Sequence, residues 1–420
     1  MNVNLEPHLS DDNIDRRSKS TQRQLKIDIS AISDNREYSL PLNLCLILDC
    51  SGSMANKPLA TVKQATISII EKLHPGDRIS AIAFNHRAKA IVRNQAVGDI
   101  TQIKSKIEQL EADGGTAIDE GLKLGIKEVS VGKRNAVSQI FLLTDGENEH
   151  GDNKRCLKLA RLASEYKITI NTLGFGEHWN QDVLEKIADL ATGTLAYIER
   201  PQTAIKEFDR LFTRLQAVGL TDARLILELM PGVRLAQLKP IAQVSPETIE
   251  LPITTDGQYF TVRLGDIMTD RKRTILINLY IGQFPPGRHQ IAAIQVSYDA
   301  PAIGRETLHS AIAPIVVKST DDYQPQVHPQ VQKSVLTLAK YRQTQIAETK
   351  LNEGDIKGAA TMFQTAATTA LLLGDESGAK ILRQSATRLQ LGEQLSEGDR
   401  KKTRLASKTI IDSNSNDKPS

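Results

Sequence analysis

The chain has 420 residues, more than one ordinary domain holds, so two or three domains are expected. It is 40% hydrophobic and 25% charged, and 53 Lys and Arg against 50 Asp and Glu leave a formal charge of +3, too little for nucleic-acid binding by bulk charge. Three cysteines (Cys45, Cys50, Cys156) are too few and scattered for a disulfide framework or a zinc site, and no apolar run reaches the ~20 residues of a membrane span.

Residues 1–20 are polar and charged and read as a disordered leader without an apolar signal core. Leu25, Ile27 and Ile29 alternate, so 21–36 is expected to form one strand that joins a β-sandwich further along. From 38 to 217, strands and helices alternate. The run Leu42–Leu48, apolar but for Asn43, has the character of a strand buried on both faces. A helix opens near Pro58, and strands 78–84 and 88–92 are close enough to form a hairpin. Helices near 99–111 and 117–130, strand 138–144, helix 154–166, strand 168–174, helix 180–191, strand 195–198 and helix 202–217 follow. Repeated β–α units predict an α/β fold, a doubly wound and mostly parallel sheet with helices on both faces.

From 218 to 320 the helical period gives way to alternation in 225–229, 258–264, 273–281, 289–296 and 307–317, which predicts a small antiparallel β-sandwich. The α/β unit would then be inserted into the sandwich. A third, helical domain is expected over 328–395, as a hairpin or bundle. In it Gly354–Ala359 and Gly374–Ala379 repeat with period 20, each Asp standing as an N-cap after a helix-stopping Gly. Residues 396–420, with the basic run 400–408, read as a flexible, solvated tail.

Three short segments carry the chemistry. Asp49-Cys50-Ser51-Gly52-Ser53 follows the first buried strand, Gly114-Gly115-Thr116 joins two helices, and Thr144-Asp145-Gly146 ends the strand expected beside the first. In a doubly wound sheet, ligands sit beyond the carboxyl ends of the strands where their order reverses. Asp49, Ser51, Ser53, Thr116 and Asp145 would meet there as two carboxylates and three hydroxyls. A hard-oxygen set favours Mg²⁺ or Mn²⁺ over zinc or copper. The competing reading gives these residues to helix caps and turns.

Asp-x-Ser-x-Ser, the Gly-Gly-Thr loop and Thr-Asp-Gly together resemble the metal-ion-dependent adhesion site (MIDAS) of von Willebrand factor type A (VWA) domains, over about residues 40–200 and with every ligand position filled. The sandwich and helical tail bear a looser likeness to bacterial and inter-alpha-inhibitor-type relatives. The resemblance implies that Ser51, Ser53 and Thr116 coordinate the metal directly, with Asp49 and Asp145 behind them or switching. It further implies a non-enzymatic scaffold whose protein partner offers an Asp or Glu to the metal. An accessory subunit of an AAA+ ATPase of the chelatase kind is the alternative, with the ATPase on another chain because no P-loop is present. A metal-dependent hydrolase is disfavoured, since no His or Glu stands within the motif. The thiol-nucleophile reading of Cys50 fails because Asn56 stands where a phosphatase has Arg. His86 and His178 read as loop residues with no role, His150 as a solvated loop residue whose alternative, with Glu147 and Asp152, is contact with a ligand above the metal, and Trp179 as a packing anchor rather than a binding hot spot. A cytoplasmic protein is expected.

Overall fold

The computed structural model describes residues 2–32, 40–133 and 135–409. In chain order the first elements are β1 (Asn2–Leu9), β2 (Asn13–Asp15), β3 (Ser20–Ile32), β4 (Leu42–Asp49), α1 (Lys57–Glu71), β5 (Arg78–Phe84), β6 (Ala88–Ala96), α2 (Ile100–Glu108), α3 (Ile118–Val131), β7 (Val137–Thr144), α4 (Asn153–Glu165), β8 (Thr169–Phe175), α5 (Gln181–Leu190), β9 (Leu195–Ile198) and α6 (Pro201–Gln216). The sheet order β6-β5-β4-β7-β8-β9 is parallel except for the β5–β6 hairpin. Every residue of β4, β7 and β8 is buried, because helices cover both faces. One face packs β4 against α1 and α6 through Leu44, Leu46, Ile69 and Phe208, and the other packs Cys45, Ile47 and Phe84 against α3 through Leu122 and Ile126. The chain leaves β4 towards β5 on one side and returns at β7 on the other, so the strand order reverses at β4.

The second half continues as β10 (Val218–Leu229), β11 (Val233–Leu235), β12 (Ile241–Ser245), β13 (Ile249–Glu250), β14 (Ile253–Asp256), β15 (Tyr259–Met268), β16 (Arg273–Gly282), β17 (Gly287–Ala300), β18 (Arg305–His309) and β19 (Ala313–Thr320). Two facing sheets result, one ordered β1-β3-β16-β12-β13 and the other β14-β15-β10-β17-β19-β2. Their inner residues, among them Ile27, Ile29, Leu225, Ile275, Ile277 and Val296, form a single core. Because β3 pairs with β16 (Ile27 opposite Ile275), the α/β unit is inserted between strands of one sandwich sheet.

The amino-terminal segment departs from the expected disordered leader. β1 pairs antiparallel with β3 from Asn2↔Ile32 to Leu9↔Leu25, and Ile14 of β2 is buried beside the end of β19. As an edge strand β1 is only half-buried, so its polar composition and Pro7 are compatible with pairing on one side. Positions 33–36 of the expected strand lie outside the described residues.

Four helices close the chain: α7 (Pro329–Asn352), α8 (Ile356–Leu372), α9 (Glu376–Gln390) and α10 (Glu397–Lys408). The repeated Asp residues do cap their helices, Asp355 accepting from Gly358 N at 2.8 Å and Asp375 from Gly378 N at 2.7 Å. The glycines before them, at φ +84° and +76°, end the preceding helices in the left-handed region. α7 lies against the sandwich through Val331, Leu338 and Tyr341 on Ala242, Val244 and Leu276. Residues 397–408 are not a solvated tail but a helix whose cations meet carboxylates of α5, far away in sequence.

Gly125 brings α3 close enough to β4 that a Cβ there would overlap the Ile47 side chain. Gly125→Val should therefore lift α3 from the sheet and cost about 1–3 kcal/mol as an overpacked core position. Urea unfolding of both proteins, with an unchanged m-value, is the check.

Candidate metal centre

β4 and β7 are hydrogen-bonded neighbours, so their carboxyl ends deliver Asp49 and Thr144-Asp145 to one crevice. Asp49 is 0% exposed. Its Oδ1 accepts from Ser51 N at 2.8 Å and its Oδ2 from Thr144 Oγ1 at 2.5 Å. The hydroxyls form a chain: Ser51 Oγ lies 3.1 Å from Ser53 Oγ, which donates to Asp145 Oδ1 at 2.7 Å. The space that a side chain at Gly146 would fill is bounded by Thr116 Oγ1 at 3.3 Å and Ser53 Oγ at 3.7 Å. Oxygens from all three segments thus surround one small space, open because residue 146 is glycine.

These hydroxyls are not spent on helix capping. Ser51 is the N-cap of the short turn Gly52–Met54, yet its side chain bonds no backbone N–H there, and α1 starts from Asn56. The capping alternative therefore loses its main support.

The loop that carries Thr116 is fixed from several sides. Gly52 N donates to Gly114 O, Asp113 N to Cys50 O and Ala117 N to Asn85 O, each at 2.8 Å, and His150 N donates to Thr116 O at 2.9 Å. Gly114 has φ +73°, and a Cβ there would lie 2.5 Å from His86 Nδ1. A Cβ on Gly115 would overlap the His150 ring. His86 and His150, expected as plain loop residues, thus pack on the two glycines, and both are exposed. Thr144 and Asn148 also escaped sequence reading: Thr144 holds Asp49, and buried Asn148 accepts from Ile118 N at 2.7 Å to start α3. The only signal for Thr144 was its place inside Thr-Asp-Gly.

Burial pushes the Asp49 carboxyl up to about 6; bonds from Thr144 and Ser51 pull it down and nearby Asp145 pushes it further up. Burial likewise raises Asp145. Two carboxylates in low dielectric favour a proton or a cation between them. Cys50 is different: burial pushes its thiol up to about 12, which keeps it neutral and unsuited to nucleophilic attack.

A doubly wound sheet with these loops at its switch point defines a von Willebrand factor type A domain protein. That family matches residues 43–210, and the Sll0103-like C-terminal alpha-helical domain matches residues 329–413. The chain belongs to the family of the uncharacterized protein sll0103 of Synechocystis, being 57% identical to it over 411 residues that cover 98% of each chain. Bovine inter-alpha-trypsin inhibitor heavy chain H4 is 27% identical over 169 residues, 38% of this chain and 18% of that protein. A von Willebrand factor type A structure from Catenulispora acidiphila superposes with TM-score 0.82 over 97% of both chains at 19% identity, a likeness of fold alone.

The raised Asp49 value has a consequence for metal-free protein. Its folded value lies above the ordinary 3.8, so ionisation costs stability increasingly as pH rises from 3.8 through about 6. Asp49→Asn, stripped of metal, should melt higher than wild type at neutral pH and lose that advantage below pH about 4, as scanning calorimetry across pH would show.

Proposed function

We propose that the chain is a non-enzymatic scaffold that binds a protein partner through a divalent cation, with a partner Asp or Glu completing the coordination. VWA domains mediate protein–protein interaction, and the metal-dependent form of that activity is the reading the crevice supports best. The carrying observation is the hydroxyl-rich oxygen set around Gly146, with one carboxylate buried behind it. Ser51, Ser53 and Thr116 would hold the cation, with Asp49 and Asp145 behind them, acting through water rather than bound to it directly. Neutral hydroxyls leave a divalent ion under-neutralised, and such an ion supplies a Lewis-acidic seat for an external carboxylate. Mg²⁺ is the first choice and Mn²⁺ the second, since both accept hard oxygens and retain water.

The residues themselves do three things. Thr144 and Ser51 N keep Asp49 oriented, Ser53 ties β4's loop to Asp145, and the backbone bonds around Gly114 hold Thr116 at the same mouth. A catalytic reading draws little from this arrangement, because the buried Asp49 is bonded on both oxygens and the serines face one another. The ATPase-accessory alternative draws no support from the relatives named above.

Calorimetric titration of EDTA-stripped protein with Mg²⁺ and Mn²⁺ tests the reading. Saturable binding is expected in wild type and its loss in Asp49→Ala and in Ser51→Ala/Ser53→Ala, with circular dichroism unchanged. Partner capture that survives both EDTA and these substitutions would rule out the metal bridge.

A further inference from the structure

The carboxy-terminal helical domain meets the rest of the molecule through α7 and through α10, whose last turn also accepts from Thr248 N of the sandwich at Lys408 O, 3.1 Å. α7 packs on the sandwich through Val331, Leu338 and Tyr341, with Arg342 paired to Glu250 at 3.0 Å. α10 meets the α/β domain through charge. Its buried positions are Gly398, Lys401, Thr403, Ser407 and Lys408, while Leu405 and Ala406 are only half-buried. Arg404 reaches Asp182 at 2.5 Å and Glu185 at 3.0 Å on α5, and Glu348 of α7 at 3.2 Å. Lys408 pairs with Glu185 at 2.6 Å and with Asp189 at 3.2 Å. Lys402 reaches Glu199 at 2.9 Å.

At the other end, α10 holds the loop between β8 and α5. Lys401 Nζ stands 4.3 Å from the Trp179 ring and donates to Glu177 O. Trp179 packs against Gly174 at the end of β8 and donates to Gly176 O at 2.7 Å. The loop follows the carboxyl end of β8, which pairs with β7 up to Thr144 opposite Gly174, so it leaves the sheet at the same edge as the crevice.

We propose that α10 is an ionic latch: the helical domain stays anchored to the sandwich by α7, while α10 detaches reversibly from α5 and frees the Trp179 loop beside the crevice. Buried ion pairs roughly balance their own desolvation and add little net adhesion, whereas the α7 contact rests mainly on apolar side chains. The pairs at the latch are not matched one to one, although Arg400 and Lys186 add positive charge around them. Four carboxylates (Asp182, Glu185, Asp189, Glu348) surround Arg404 and Lys408. Among the described residues, Glu185 Oε2, Glu348 Oε1 and Arg404 Nε find no well-aligned hydrogen bond. Arg400 on α10 and Glu247 of the sandwich also act on this cluster, and Tyr341 of α7 adjoins Lys408.

Burial pushes Glu348 up to about 8, opposed by Arg404 and assisted by Glu185, and pushes Asp189 up to about 6, opposed by Lys408. Both folded values exceed the ordinary ones, so the closed state favours the protonated acids. Closure therefore weakens as pH rises through about 6 and then about 8, and it weakens again at acid pH as Asp182, which despite its burial Arg404 holds below its ordinary value, is protonated.

Trp179, the chain's only tryptophan, reports on the latch without any metal. Full-length protein is examined by acrylamide quenching and hydrogen exchange at pH about 6 and about 9, and at about 0.05 and about 1 M NaCl, which screens the exposed Lys402–Glu199 pair more than the buried Lys408–Glu185 pair. High pH should raise Trp179 quenching severalfold and speed exchange in 176–185 and 397–408 about tenfold, and salt should act in the same direction to a smaller extent, with α7 and β4 still protected. Arg404→Gln should open the latch under all conditions, and Glu348→Gln should close it and flatten the pH response. Quenching indifferent to salt, pH and both variants, or loss of protection in step with β4, would overturn the proposal. Regulation of partner binding by the latch rests in addition on the metal-bridge reading, which the calorimetric titration tests separately.

Discussion

Placing an ionisable carboxylate at the end of a fully buried strand costs free energy unless something compensates it. Asp49 meets that cost with two hydrogen bonds, one from the backbone of its own loop and one from Thr144 on the adjacent strand. The second bond exists only because β4 and β7 are neighbours and end level with each other. The same pairing sets Asp145 within reach of Ser53, and the turn after Ser51 is pinned to Gly114. The crevice is therefore a product of strand order, and the loops decorate an arrangement that the sheet has already made.

Much of the α/β domain was legible because it obeys simple periodicities. Leu42–Leu48 is apolar at every position but Asn43, which fits a doubly buried strand, and the helix beginning near Pro58 carries its start signal in the sequence. The three motif segments fall at strand ends and an interhelical loop, as their flanking patterns required. The roles of His86, His150 and Asn148 were not legible, because they act by packing on glycine backbone or by starting a helix from a distant loop. No local pattern encodes such contacts.

β1 and α10 were both misread, each for its own reason. β1 looks disordered because an edge strand needs apolar residues on only part of one face, and Leu9 and β2's Ile14 supply little of that signal. α10 looks solvated because five cations in twelve residues normally face water. Their carboxylate partners sit at 182, 185, 189 and 348, invisible to any reading confined to a window of sequence. Charge that appears unpartnered locally is here the substance of an interdomain contact.

The pairing of Ile27 with Ile275 sets an order of events during synthesis. The hairpin of β1 and β3 leaves the ribosome with an apolar face and no sheet to rest on, and β16 follows only after the entire α/β domain has emerged. At ~5–20 residues per second, that interval is on the order of ten seconds or more. The α/β domain, built from near-neighbour β–α units, has time to fold within the gap. The nascent hairpin must meanwhile stay soluble with Leu25, Ile27 and Ile29 uncovered. Its polar edge strand, which made it look disordered in the sequence, is suited to that wait.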